Sequence, residues 1–189
     1  MSKTRQFRGH QGAIGASPLP RYNVPVPEWT VERMTPDSWE RVRTIRLRAL
    51  AESPDAFGTT VAEWEGRPPG DWRERLEDPA AATFLAVSGN RDRGIVACRR
   101  YDDGGADAGL FGMWVEPDSR ARGIGGALVD AVVAWARDHG FPGILLDVAD
   151  TNPPAIRLYE SRGFSRTGVT GSLPPPREHI LEHQRGLRL

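Results

Sequence analysis

The sequence predicts one mixed α/β domain, and three local patterns support this fold class. Two apolar runs, 83–87 and 94–98, are separated by Ser88-Gly89-Asn90, which is typical of an antiparallel hairpin. A third run, 110–115, leads through a glycine-rich turn into apolar residues at helical spacing: Ile124, Leu128, Ala131, Val132 and Trp135. The run 144–148 has the composition of a buried strand, interrupted only by Asp147.

The first part of this domain is predicted to be a strand followed by a helix. Alternating side chains from Trp29 to Met34 indicate the strand. Thr35-Pro36-Asp37 has the residue order of a helix start: a capping hydroxyl, proline in the first turn, then an acid. Ser53-Pro54 should end this helix. Its apolar face consists of Trp39, Val42, Ile45, Ala49 and Leu50.

Residues 55–78 are expected to be irregular, with one short helix over 71–76. The acidic residues of this segment outnumber its three arginines, and two interpretations remain open. The segment is either an ordinary solvated surface or an acidic wall for a cationic substrate. The acids are Asp55, Glu63, Glu65, Asp71, Glu74, Glu77 and Asp78.

The rest of the chain alternates helices and strands. The helix after the glycine-rich turn should end at His139-Gly140. Asn152-Pro153 predicts a second helix start, and Gly163 its end. Residues 164–169 and 180–189 are the candidate closing strands. The domain is therefore assigned to 28–189, and the Gly- and Pro-rich segment 1–27 to a disordered basic tail.

Composition excludes several classes of function. Four of the 25 basic residues and none of the 25 acidic residues precede Glu28, so the domain has 21 basic against 25 acidic residues and is no nucleic-acid binder. No apolar run reaches the roughly 20 residues that span a membrane, and no secretory leader is visible. Cys98 is the only cysteine, so neither a disulfide nor a thiolate metal cluster is expected. His179 and His183 lack the acidic partner of a metal motif. The expected location is the cytoplasm.

The glycine-rich turn predicts an anion site. When a glycine-rich turn connects a strand to the N-terminus of a helix, several unpaired N–H groups point at one position. The positive end of the helix dipole adds to their attraction for an anion. Arg120 and Arg122 add positive charge there. No Gly-Lys-Ser/Thr follows, so the turn is not a P-loop. A Rossmann loop is a poor match as well, because that loop follows the first strand of a parallel unit.

Two motifs together resemble the GNAT superfamily of N-acetyltransferases. The first is Val115-x-Pro117-x-x-Arg120-x-Arg122-Gly123-Ile124-Gly125-x-x-Leu128, and the second is Asn152-x-x-Ala155-x-x-Leu158-Tyr159-Glu160-x-x-Gly163-Phe164. The resemblance extends from about Trp29 to Leu189. It implies a single GNAT-type α/β (α+β) domain: a central, mixed, mostly antiparallel sheet with two splayed parallel strands, flanked by helices.

The resemblance also implies acetyl-CoA as co-substrate, with no metal, and residues that hold it. Backbone groups of Met113, Trp114 and Val115 would bind the pantetheine arm, and Asn152 would contact the cofactor further along that arm. Asn152 is equally explained as a helix N-cap. The pyrophosphate would lie on the amides of Arg120, Ala121, Arg122, Gly123, Ile124, Gly125, Gly126 and Ala127.

Asp147 and Tyr159 are the candidate catalytic residues. A carboxylate within an apolar strand should be paired or face a cleft, and Asp147 matches the position of a catalytic glutamate in related enzymes. The alternative is a strand-end acid satisfied by the backbone. Tyr159, whose phenol keeps its proton at neutral pH, is the candidate general acid for the leaving thiolate. Its alternative is a core aromatic.

The implied reaction is direct attack of a neutral amine on the acetyl thioester. Asp147 or a water that it holds, Glu116 and Asp150 are the candidate bases. The acidic segment weakly favours a cationic amine. The competing function class is a non-catalytic acyl-CoA-binding regulatory module, and a different phosphate-bearing ligand is a third, weaker possibility. A monomer or a homodimer fits equally.

Overall fold

The computed structural model describes residues 28–102 and 104–189. The predicted tail 1–27 lies outside the described residues, so the boundary at residue 28 stays a prediction. None of the helices in the described part of the chain is long and apolar enough to cross a membrane.

The centre of the fold is a seven-stranded mixed sheet with the order β1-β2-β3-β4-β5-β7-β6. Among the strand pairs in the described part of the chain, only β4–β5 is parallel. This confirms the predicted fold class. The strands are β1 Thr30–Arg33, β2 Ala82–Ser88, β3 Arg91–Arg100, β4 Ala108–Val115, β5 Gly143–Ala149, β6 Ser165–Ser172 and β7 Leu181–Arg188.

Helices cover both faces of this sheet. On one face α1 to α3 enclose a core that includes Ile45, Leu50 and Leu85. On the other face α4 and α5 enclose a second core that includes Leu128 and Leu146. The helices are α1 Trp39–Glu52, α2 Val61–Glu65, α3 Pro69–Glu77, α4 Ile124–Asp138 and α5 Pro153–Ser161.

The prediction that 55–78 is irregular, with a helix over only 71–76, is wrong, because the segment contains the whole of α2 and α3. Thr60 and Glu63 make a reciprocal capping box that starts α2, and Pro69 occupies the first turn of α3. Each helix is too short to display an apolar stripe. Trp72 and Trp64, whose ring centroids lie 5.0 Å apart, fix both helices against α1.

The two parallel strands separate soon after they pair. Register partners link β4 to β5 only at Ala108–Ile144 and Gly109–Leu145. Beyond these positions the β5-facing edge of β4 has no strand partner among residues 28–102 and 104–189. The β3–β4 register also shifts between Ile95 and Ala97, and Gly112, opposite this shift, has a φ of +61°. The sheet therefore opens as a wedge between β4 and β5.

Candidate active site

The turn before α4 is held open by left-handed backbone. Ala121 and Gly123 have φ values of +60° and +84°, and Gly123 is the N-cap of α4. The backbone N–H groups of residues 121–126 find no acceptor in 28–102 or 104–189, whereas that of Ala127 already bonds the Gly123 carbonyl. Unpaired donors at the positive end of a 15-residue helix suit an anion.

Arg120 ties this turn to the rest of the fold. Its Nε donates to the Val115 carbonyl at 2.9 Å, and its Nη2 donates to Glu52 Oε2 at 2.8 Å. The same Glu52 oxygen accepts from Trp114 Nε1 at 2.9 Å. Burial alone would raise the pKa of Glu52, but these donors and Ser53 outweigh it and hold that pKa below its ordinary value. The Arg120 guanidinium thus has a structural partner, while Arg122 is exposed.

Two further glycines of the motif allow α5 to pack against the turn. A Cβ at Gly125 would lie 3.0 Å from a Leu158 methyl, and one at Gly126 would contact the guanidinium end of Arg162. Arg162 Nε also bonds Asp130 at 2.8 Å. Gly125 is therefore explained by close packing against Leu158, whereas Gly123 is explained by its backbone conformation.

The predicted β4 residues lie along the open edge of the wedge. Met113 and Val115 pack towards the α4 face, and the buried Trp114 packs towards the α1 face. On the opposite side, Asn152 Oδ1 accepts from the Ala155 N–H at 3.2 Å and caps α5. The capping role of Asn152 is therefore present, and its cofactor role stays a prediction.

Tyr159 is almost fully buried at 5% exposure. Its ring packs edge-on against Phe164, with centroids 5.9 Å apart. Its hydroxyl makes no hydrogen bond within the described ranges, and burial raises the pKa of Tyr159 above its ordinary value. The phenol therefore stays protonated, as both the acid and the core interpretation require.

A cavity of about 420 Å³ lies between the sheet and α1 to α3. We call it the α1–α3 cavity. Its volume falls within the roughly 300–1,000 Å³ of small-molecule sites. Phe111 and Gly112 of β4 and Asp147 of β5 line it. All three residues lie beyond the last pair that joins β4 to β5, Gly109–Leu145. The cavity therefore adjoins the open wedge between these two strands.

Asp147 faces this cavity with an exposed, oriented carboxylate. Tyr101 donates its hydroxyl hydrogen to Asp147 Oδ2 at 2.6 Å, and Gln184 Nε2 donates to the Tyr101 oxygen at 3.0 Å. Thr167 in turn donates to Gln184 at 2.8 Å. The alternative, in which backbone N–H groups bind the carboxylate, is not observed. Asp147 is held instead by a series of hydrogen bonds between side chains. The sequence offered no signal for Tyr101 or Gln184.

Glu182 is a second carboxylate on the same wall that sequence reasoning missed. It stands diagonally across the β5–β7 pair from Asp147, since Ala149 is its register partner. Burial and the Asp147 charge raise the pKa of Glu182, although Arg177 opposes them. A carboxylate whose proton affinity is raised is a stronger base than an ordinary one.

The other candidate bases lie outside the cavity lining. Glu116 pairs with Arg48 and Arg93. Burial would raise the pKa of Glu116, but the charged donors outweigh it and lower that pKa. Asp150 is exposed just after β5. Cys98 is fully buried, and burial raises the pKa of its thiol to about 12, so it is no nucleophile.

Of the two interpretations of the acids in 55–78, the solvated surface agrees better with the structure than the acidic wall. Of the acids in 55–78 only Asp78 lines the cavity, while Arg75, Trp64 and Trp72 of the same segment also face it. Among the acids of α2 and α3, Asp71 is half-buried and the other four are exposed: Glu63, Glu65, Glu74 and Glu77. Arg46 and Arg99 complete a cluster of three cavity-lining arginines with Arg75, which we call the arginine cluster. No group of three or more metal-ligating side chains occurs within 28–102 and 104–189.

Comparison with known proteins assigns the class. The family model described as "Acetyltransferase (GNAT) family" matches residues 31–164. The chain therefore belongs to the GNAT acetyltransferase family, as the two motifs predicted.

Individual relatives agree with this assignment. A mycothiol acetyltransferase of Thermomonospora curvata is 31% identical over 182 residues, which cover 93% of this chain and 58% of the relative. Across the first such relatives, the chain spans about half of their length. A GNAT-family acetyltransferase of Streptococcus pneumoniae shares the fold with a TM-score of 0.73 and 18% identity, covering 85% of this chain and 99% of that one. The Salmonella typhimurium protein yncA, solved with its cofactor acetyl-CoA, shares it with a TM-score of 0.71 and 15% identity, covering 85% and 94%.

Proposed function

We propose that this protein transfers an acetyl group from acetyl-CoA to a primary amine by direct attack. The observation that carries the proposal is the meeting of three features at one junction. The unpaired amides of 121–126, the open edge of β4 and the carboxylate of Asp147 all adjoin the wedge between β4 and β5. Relatives named acetyltransferases support the reaction type.

The donor side of the wedge fits a coenzyme A thioester. The amides of residues 120–127 would hold its pyrophosphate at the N-terminus of α4. The unpaired groups of Met113, Trp114 and Val115 would bond the pantetheine amides as an added strand would, with Asn152 across the wedge. No metal is needed for any of these contacts.

The acceptor side supplies the base. A primary amine has a pKa of about 8 to 10.4 and is mostly protonated at neutral pH. We assign the removal of its proton to Asp147, directly or through a water, because Tyr101 orients this carboxylate. Glu182 would share the proton through its closeness to Asp147.

The acetyl group would then pass from the sulfur of coenzyme A to the amine nitrogen. When bound, acetyl-CoA supplies the thioester, whose C–S bond breaks as the amine nitrogen forms its bond to the acetyl carbon. A backbone N–H of β4 near Gly112 would stabilise the charge that develops on the carbonyl oxygen. Tyr159 would give a proton to the departing sulfur, and the second proton that the nitrogen loses on becoming an amide would pass through solvent to restore the phenol. We further infer a cytoplasmic enzyme, as monomer or homodimer, without nucleic acid or membrane partners.

The test uses the purified full chain with acetyl-CoA and a panel of primary amines. Thiol release that depends on the amine, with an acetylated product of the expected mass, supports the proposal. Coenzyme A should also raise the Tm of the protein by several degrees at saturation. A clear Tm shift without thiol release on any amine would favour the non-catalytic acyl-CoA-binding module. Absence of a Tm shift would contradict the donor site itself.

A further inference from the structure

The arginine cluster contributes three positive charges to the lining of the α1–α3 cavity, which also includes the carboxylates of Asp78, Asp147 and Glu182. Burial, together with the nearby Arg75 charge, lowers the pKa of Arg46 to about 10. Burial, together with the Arg67 and Arg99 charges, lowers the pKa of Arg75, although Asp71 and Glu74 oppose this. The positive charges of the cluster repel one another, and a bound anion would reduce that repulsion.

Within 28–102 and 104–189 none of the three arginines forms a salt bridge. Arg46 Nη2 donates to Thr59 at 3.1 Å, but its Nη1 is buried without an acceptor. By contrast, Arg41, Arg48, Arg93 and Arg120 each pair with a carboxylate. A buried guanidinium N–H without an acceptor is costly, and the cavity that Arg46 lines has room for an anion beside the cluster.

Aromatic rings hold the cluster in place. Arg46 lies 4.6 Å from the Phe57 ring centroid, Arg75 lies 4.9 Å from that of Trp64, and Arg99 lies 4.0 Å from that of Phe111. Stacking on a ring leaves the edge of a guanidinium, where its N–H donors are, available to a planar anion. The cluster is thus preorganised for a carboxylate.

The cluster is also close to the reaction centre. A Cβ on Gly112, at the register shift of β4, would lie 3.1 Å from Arg46 Nη1. Asp147 and Glu182 line the same cavity from β5 and β7. One cavity therefore presents donors for an anion and acceptors for an ammonium group.

We propose that the acceptor is an amine that also carries a carboxylate, an amino acid or a close analogue, whose carboxylate binds the arginine cluster while its amine faces Asp147. This specificity rests on the proposed acetyl transfer. The expectation of a cationic acceptor is thereby refined, since the amine is positive but the molecule as a whole is not.

The experiment compares matched pairs that differ only in the carboxylate. The probes are phenylalanine, leucine and glutamate, each against its α-carboxamide, with acetyl-CoA and the full chain. We expect kcat/KM to be about tenfold to a hundredfold higher for at least one acid than for its amide, mainly through KM. In parallel, calorimetry with the coenzyme A-loaded protein measures binding of the same probes without turnover.

Variants then assign the preference to the cluster. Arg75→Gln and Arg99→Gln should each remove most of the acid preference, Arg75→Lys should keep part of it, and Arg75→Glu should favour the amide. Arg46→Met should have the largest effect on KM for the acid. Arg73→Gln is the control, since Arg73 also belongs to α3 and stacks on a tryptophan, Trp39, but does not line the cavity.

The outcomes separate the two proposals. Acetylation that is equal for acids and amides overturns the carboxylate subsite and leaves the transferase. Tight, cluster-dependent binding of an acid without thiol release supports the subsite and contradicts the transferase. If Arg46→Met lowers kcat equally for acids and amides, the arginine acts on the reaction rather than on a carboxylate, and the subsite is wrong. If no acid binds or reacts, the subsite is also wrong.

Discussion

The proposed donor and acceptor sides of this site are built in different ways. The donor side is one continuous turn, residues 120–127, whose backbone shape is set by local left-handed residues. The acceptor side draws single residues from α1, α3, β3, β5 and β7: Arg46, Arg75, Arg99, Asp147 and Glu182. A local site binds through backbone groups that many sequences can offer, whereas a dispersed site acts through individual side chains. Substitutions should therefore affect binding on the first side and chemistry or specificity on the second.

The largest effect is expected for Gly123→Glu on the donor side. A side chain at φ +84° is strained, and its carboxylate would occupy the anion site. Coenzyme A affinity, measured by calorimetry, should fall about 100-fold or more. Gly89→Glu, at φ +59° in the β2–β3 hairpin, has a similar backbone conformation and the same added charge, and should leave the affinity unchanged. Equal losses in both variants would mean that general destabilisation, not the site, is responsible.

Asp147→Asn, on the acceptor side, should lower turnover and leave coenzyme A affinity almost unchanged. Removing the base should lower kcat about 100-fold, since general bases contribute roughly 10²- to 10⁴-fold, while coenzyme A affinity stays within twofold. Steady-state kinetics and calorimetry together check this split. Asp150→Asn, three residues further along, serves as the control. A loss below threefold for Asp147→Asn would move the base elsewhere, with Glu182 the next candidate.

Tyr159→Phe is expected to have an intermediate effect. Because no hydrogen bond from the hydroxyl occurs in the described part of the chain, phenylalanine should fill the same space and leave Tm within about 2 °C. If the phenol is the general acid, kcat should fall about 10- to 100-fold without a matching loss of coenzyme A affinity. Unchanged kcat would leave Tyr159 with a packing role only.

The smallest effect is a pH dependence caused by Glu182. Its pKa is raised in the folded protein, so the folded state keeps this proton to higher pH than the unfolded chain, whose value is near 4.5. The stability that the protonated group contributes is therefore complete below about pH 4.5 and declines as the pH rises through the folded pKa. Glu182→Gln removes that decline.

Thermal unfolding from pH 4 to 8 tests the Glu182 prediction. The Tm of Glu182→Gln should rise relative to wild type with increasing pH, by an amount on the order of 1–2 °C because the side chain is only half-buried. Glu178→Gln, at an exposed position on the same connection, should show no such trend. A variant curve parallel to wild type would contradict the raised pKa.

Local chemistry predicted most of the backbone. The hairpin around Gly89, the apolar face of α1 and the helix end at His139-Gly140 each depend on residues within a few positions of one another, and the structure confirms them. The prediction failed at 55–78, where α2 and α3 are too short to show periodicity and depend on Trp64 and Trp72 packing against α1.

The sequence by itself determined the family, the strand order around the glycine turn and the residues that could bear chemistry. Only the tertiary structure decided which of them face one another. In the structure Asp147 binds Tyr101, which lies 46 residues earlier in the chain. Glu116 forms an ion pair with Arg48 instead of lining the cavity. From α3, Arg75 lines the cavity and the acids do not. The reason is physical: side-chain direction across a sheet depends on register between distant strands, and no local pattern encodes that register.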